Sequence, residues 1–160
     1  MKKVFVLSLV FCAFSTLAFS QVNANAFGVR LGGGSYVGGE LSYQKGISNA
    51  NRIEFDFGYS VDNNNDHDRI YALGIYHWDW NITDALNWYV GPGVGAGLFI
   101  GANQSSFNVT IGGQIGLEYD FLREADVPIL ASVDVRPMWD FLGDNAGFGW
   151  GAALGIRYIW

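Results

Sequence analysis

Hydrophobic and polar positions alternate along most of this chain with a period of two. In "RIEFDFGYSV", residues 52–61, Ile53, Phe55, Phe57, Tyr59 and Val61 share one parity; Arg52, Glu54, Asp56, Gly58 and Ser60 share the other. Such alternation predicts a β-strand with two unlike faces. The pattern returns between turn-rich interruptions and predicts eight strands, at 26–34, 35–45, 52–61, 70–80, 88–100, 108–121, 128–141 and 148–160. In 108–121 the apolar row includes Val109, Ile111, Ile115, Leu117, Tyr119 and Phe121, set against Asn108, Thr110, Gln114, Glu118 and Asp120. In 148–160 it runs Phe148, Trp150, Ala152, Leu154, Ile156, Tyr158 and Trp160. No long helical period occurs, and 22 glycines would weaken one.

The fourth segment loses phase. "IYALGIYHWDW" puts Tyr71, Leu73 and Ile75 on one parity but Trp78 and Trp80 on the other. A β-bulge near Tyr76 or His77 would reconcile them, because one extra residue flips every later side chain. Pro92 and Pro137 cannot donate to a ladder, so bulges are expected beside them as well.

Volume decides which face looks outward. Eight strands carry more apolar side chains, many of them aromatic, than a narrow eight-stranded interior can hold. The row rich in Gly, Ser, Thr and Asn does fit there. The aromatics also gather at row ends. Trp78, Trp80, Trp88, Tyr119, Phe121, Tyr158 and Trp160 fall at one end; Tyr59, Phe99, Trp139, Phe141, Phe148 and Trp150 fall at the other. Two aromatic girdles around a plainer aliphatic band are what a bilayer selects. The prediction is all-β, an eight-stranded antiparallel up-and-down transmembrane barrel with aromatics toward lipid and charges inward. A soluble ligand-binding barrel, built like a lipocalin, is the rival fold, and the volume argument weighs against it. Polar connections at 62–68, 101–106 and 142–147, with the tight "GGGS" at 32–35, share one end. Those at 46–51, 81–87 and 122–126 share the other, with both termini.

Composition sharpens this. "MKKVFVLSLVFCAFSTLAFS" has two lysines, then an apolar run from Val4 to Phe14 too short to cross a bilayer. Ala18 and Ser20 occupy the small-residue positions before a cut at Gln21, so residues 1–20 read as a secretory signal peptide and 21–160 as one barrel domain. Cys12 is the only cysteine and lies in that segment, so the remainder has no disulfide or thiol chemistry. A lipoprotein cut before Cys12 is disfavoured by bulky Phe11. Without Lys2 and Lys3 the chain carries 7 basic residues against 15 acidic ones, a formal charge of −8. That excludes a nucleic-acid partner, which needs a basic footprint.

The signal segment, the eight dyad-repeat strands and the terminal "GAALGIRYIW" together resemble the small bacterial outer-membrane barrels of the OmpA/OmpX-like superfamily. The likeness is architectural and spans residues 21–160. It implies an outer-membrane location, outer-membrane lipid as surroundings, and recognition by the outer-membrane assembly machinery during biogenesis. In that family the insertion signal is a last strand of alternating hydrophobics with a final aromatic, which Leu154, Ile156, Tyr158 and Trp160 match. The chain departs from adhesive members in its short loops, and from members that add a periplasmic domain after the barrel.

The inward row supplies the candidate chemistry. Arg30, Arg52, Arg136 and Arg157 share it with Glu40, Glu54, Asp56, Glu118, Asp120 and Asp134. Arginine forks suit a narrow, poorly hydrated lumen, so a mixed ion-pair network is expected. It would plug the barrel, giving a structural or surface-interaction protein. If the pairs break, it would gate a narrow porin-like channel for small solutes or ions. The glycine rows, Gly91, Gly93, Gly95 and Gly97 with Gly112, Gly116, Gly149, Gly151 and Gly155, fit either account: they would make room for long arginine side chains or leave a water-filled pocket beside them.

A lipid-modifying outer-membrane enzyme is a third possibility with little to stand on. His67 lies among loop acids, His77 with Asp79 lies toward the other end, and Ser105 and Ser106 need loops to meet His67. No catalytic residue, cofactor or metal is assigned. "DNNNDHD" spaces Asp62, Asn64, Asp66 and Asp68 like the start of a calcium loop, but has no glycine at the sixth position and Leu73 at the twelfth. The Asn-x-Ser/Thr sites at Asn81, Asn103 and Asn108 carry no weight in bacterial export.

Overall fold

In a computed structural model, the alternating segments pair into one closed antiparallel barrel. The strands are β1 (Asn25–Gly34), β2 (Tyr36–Ser48), β3 (Asn51–Asp62), β4 (His67–Asn81), β5 (Leu86–Gly101), β6 (Ser105–Asp120), β7 (Ile129–Asp140) and β8 (Gly147–Ile159). Each pairs with its chain neighbours, and β8 returns to β1 through Ala26↔Ile159 to Gly34↔Gly151. Closure removes the unpaired edge that an open sheet leaves. The structure describes residues 22–62, 67–101, 105–142 and 146–160, without the side chains of Asp62 and His67. The signal segment, its cut site, the calcium-like spacing and the middles of the connections at 101–106 and 142–147 lie outside those residues.

Parity sets direction. Among the described residues only eight apolar side chains are buried, against 21 polar or charged ones. Outside stand Phe55, Phe57, Val94, Ile111, Leu154 and Ile156, each about half exposed or more. A soluble core has the opposite arrangement, and an apolar belt of this extent greatly exceeds the patches that water-facing surfaces carry.

The short connections follow local chemistry. One residue, Ser35, joins β1 to β2; Gly34 takes φ of +151° there, and an added Cβ would run into the Trp150 carbonyl. Between β4 and β5, the backbone N–H groups of Ile82 and Thr83 both donate to the Leu86 carbonyl, at 2.8 and 3.0 Å. Between β6 and β7 lies one helical turn, α1 (Phe121–Ala125), so the strand predicted to reach Phe121 ends one residue earlier. The Asp120 carboxylate accepts from the Leu122 N–H at its start, and Asp126 closes it with φ of 54°.

Three expectations are corrected. β4 has no bulge: its register against β3 is unbroken from Asn51↔Trp78 to Val61↔Asp68. Tyr71, Leu73 and Ile75 point inward with Arg69, His77 and Asp79, while Trp78 stays outside. The glycines of β5 make this possible, since a Cβ on Gly95 would strike Leu73 and one on Gly93 would lie 2.9 Å from Ile75. The prolines cause no bulge either. The β4–β5 ladder opens opposite Pro92 and the β6–β7 ladder beside Pro137, and each resumes in the same register. Among the described residues the one shift falls instead at Gly46/Ser48, between β2 and β3. Finally, Phe99 is no girdle residue; it is 1% exposed and faces inward.

Candidate functional site: the charged lumen

The inward row stacks into layers along the barrel axis. In the middle, Arg30 pairs with Glu40 and Asp134, and its charge also lies 3.7 Å from Glu54 and 3.8 Å from Asp56. Arg136 donates to Glu40 at 3.0 Å, Asp56 at 2.5 Å, Glu54 at 3.4 Å and the Gln114 carbonyl at 3.0 Å. Arg157 bridges Glu54 at 3.1 Å and the hydroxyls of Ser42 and Ser132, both at 2.9 Å. Glu54 and Glu40 therefore each serve more than one guanidinium through their two acceptor oxygens, while the fork of each arginine reaches several acceptors in turn. These bonds join residues far apart in sequence: Arg30 to Asp134 across 104 positions, Arg157 to Glu54 across 103, Arg136 to Glu40 across 96.

Toward the end that holds the termini, Arg52 binds Glu118 through two nitrogens, at 2.8 and 2.6 Å, and lies 3.4 Å from Asp79. Its Nε donates to His77 Nδ1 at 3.3 Å, and its guanidinium sits 4.7 Å from the Tyr89 ring centre. The His77 ring lies 4.6 Å from the same tyrosine. Beneath this layer Ala26, Leu130 and Ile159 make a small apolar floor.

Toward the loop end, Arg69 and Asp140 pair at 2.9 Å, and the Tyr71 hydroxyl donates to Glu40 at 2.6 Å. Between Arg69 and the central layer is a cavity of about 100 Å³, bordered by Arg30, Glu40 and Arg136 on one side. Glycines of β1, β2 and β8, among them Gly32, Gly38, Gly149 and Gly151, form its side wall.

Nine of the ten charged residues named from the sequence thus meet in the lumen. Asp120 does not: it caps α1, pairs with Arg123 at 3.1 Å and accepts from Asn23 at 2.9 Å. Its place as the last residue of β6 puts it in the turn. Sequence reasoning missed Arg69, Asp79 and Asp140. Asp140 shares parity with Asp134 and Arg136 and was findable, as was Asp79, which alternates with Trp78 and Trp80; Arg69 was hidden by the outward phase assigned to Tyr71, Leu73 and Ile75. The four terminal-strand residues all face outward, with Leu154 at 66% and Trp160 at 56% exposure.

No family model and no curated protein matches the sequence. Solved structures do match in shape. Neisserial surface protein A aligns with a TM-score of 0.66 at 13% identity, over 85% of this chain and 95% of that one. Ail, the attachment invasion locus protein of Yersinia pestis, gives 0.53 at 14% identity, over 87% and 100%. The N-terminal β-barrel domain of Pseudomonas aeruginosa OprF gives 0.50 at 17% identity, over 86% and 100%. At such identities the likeness is one of fold. The chain has the fold of the small eight-stranded outer-membrane barrels, the architecture that the OmpA/OmpX-like resemblance implied.

Proposed function

We propose that this chain is an integral outer-membrane protein whose charged layers close its lumen, with a structural or surface-interaction role. The observation that carries the reading is the central layer. Arg30, Arg136 and Arg157 reach from β1, β7 and β8 to carboxylates on β2, β3 and β7, so ion pairs cross the interior where a solute would pass. Breaking a buried pair costs about 3–5 kcal/mol, which keeps such a plug shut. The outward belt supports lipid as the surroundings. The outward, aromatic-ended face of β8 supports Leu154, Ile156, Tyr158 and Trp160 as the assembly signal. Two of the similar structures are named a surface protein and an attachment invasion locus protein, which supports contact with the exterior as the role. A catalytic reading gains no support at His77, whose Nδ1 is held by Arg52.

The test joins two measurements on residues 21–160 refolded into vesicles. Brominated acyl chains should quench tryptophan fluorescence strongly, and planar-bilayer recordings should show no steady conductance. A folded protein with unquenched tryptophans would refute the membrane reading. Quenched tryptophans with a steady open conductance would keep the membrane reading and replace the plug by a channel.

A further inference from the structure

Arg69 is held differently from the other lumen arginines. Each of those four lies within ion-pair range of more than one carboxylate or is ringed by hydroxyl acceptors. Arg69 pairs, among the described residues, with Asp140 alone. Aromatic faces surround the rest of it: its guanidinium carbon lies 5.1 Å from the Tyr71 and Phe99 ring centres and 5.8 Å from that of Tyr36. Asn108 donates to the same Asp140 oxygen at 2.6 Å and fixes the carboxylate. At 11%, its side chain is also the most exposed of the five, against 0–6% for the others, and it borders the cavity at the loop end.

Three aromatic rings and one anchored carboxylate, contributed by β2, β4, β5 and β7, are the recognition chemistry for a guanidinium or alkylammonium group. We infer that the loop end of the lumen is a socket for a small organic cation, and that Arg69 fills it as a tethered internal occupant. The tether explains why the socket stays filled, since a side chain on its own wall competes at high effective concentration. Removing Arg69 leaves the buried Asp140 with the Asn108 amide but no cation, which is a strong drive to take up a free one. The inference stands on the socket's own contacts and holds whether or not the layers below conduct.

The experiment is chemical rescue of Arg69→Ala, refolded as residues 21–160 in detergent, with methylguanidinium chloride as probe and sodium chloride at equal ionic strength as control. The variant should melt below wild type and recover saturably at millimolar methylguanidinium but not with sodium. Wild type should not respond. Arg69→Ala/Asp140→Asn should lose about tenfold or more in probe affinity, the loss of one modest charge interaction. Arg69→Lys, which supplies an alkylammonium, should stay closer to wild type than Arg69→Gln. Equal response to the two salts, an undiminished response in the double variant, or Arg69→Lys no better than Arg69→Gln would each overturn the socket. Failure of Arg69→Ala to refold even with the probe would do so too.

Discussion

Arg136 is the residue on which most of the interior converges. It touches Glu40, Glu54, Asp56 and Gln114, and is 6% exposed. Arg136→Ala leaves those buried carboxylates short of a cation, at a cost of about 3–5 kcal/mol. Arg123 supplies the contrast: it too pairs with an aspartate, Asp120, but its side chain is 25% exposed. Arg123→Ala should cost about 1 kcal/mol or less. Urea unfolding in vesicles measures both, and equal losses would mean that the central layer contributes no more than a partly exposed pair at the barrel's end, whose aspartate keeps the Leu122 N–H and Asn23 as partners. Conductance separates plug from filler. Arg136→Ala should introduce channel events absent from wild type; silence in the variant would show that the remaining side chains close the lumen without it.

Among the elements, β4 and β5 show what one strand's pattern can and cannot reveal. Along a single strand, apolar residues on the inward parity read as a phase error. Across the pair they read as packing, because Leu73 lies over Gly95 and Ile75 over Gly93. The information resides in the register between strands, which alternation along one strand does not encode. The same reason hid Arg69, which pairs directly with Phe99. Phe99 itself alternates with the inward Gly93, Gly95 and Gly97 and was misplaced by its position near a strand end. By contrast β3, β6 and β8 show the facing that their alternation predicts, with the apolar row outward, except at the end of β6. Asp120 was misread because parity assigns a face but does not say where a strand stops. Gly95→Ala should therefore destabilise by about 1–3 kcal/mol through overpacking against Leu73. Gly74→Ala, on the outer face of β4 with Phe55 at 3.9 Å as the nearest neighbour, should stay within about 0.5 kcal/mol. Equal effects would mean that the glycines of β5 are not shaped to their inward neighbours.

At the scale of the whole molecule, the usual partition of residues is turned inside out: the interior is polar and the exterior apolar. Eight strands, their order and the facing of all but β4 were readable because one rule holds along them, apolar outward with period two. The partners of individual charges were not, since closing the cylinder brings together residues about 100 positions apart. That separation has a consequence in time. In an open sheet Arg30 on β1 and Asp134 on β7 stand six strands apart, and Arg157 on β8 and Glu54 on β3 five, so these bonds form only as the sheet curls closed and β8 meets β1. They belong to the last step of assembly and are absent from the barrier before it. Interactions of that kind leave the folding rate alone and govern how long the folded state lasts. Arg136→Ala should therefore refold into vesicles at nearly the wild-type rate but unfold faster by about two orders of magnitude or more. Slowed refolding with unchanged unfolding would place the charge network early instead. On this view the ion pairs act as a latch that sets how long the closed barrel lasts, and they have no part in guiding the chain into it.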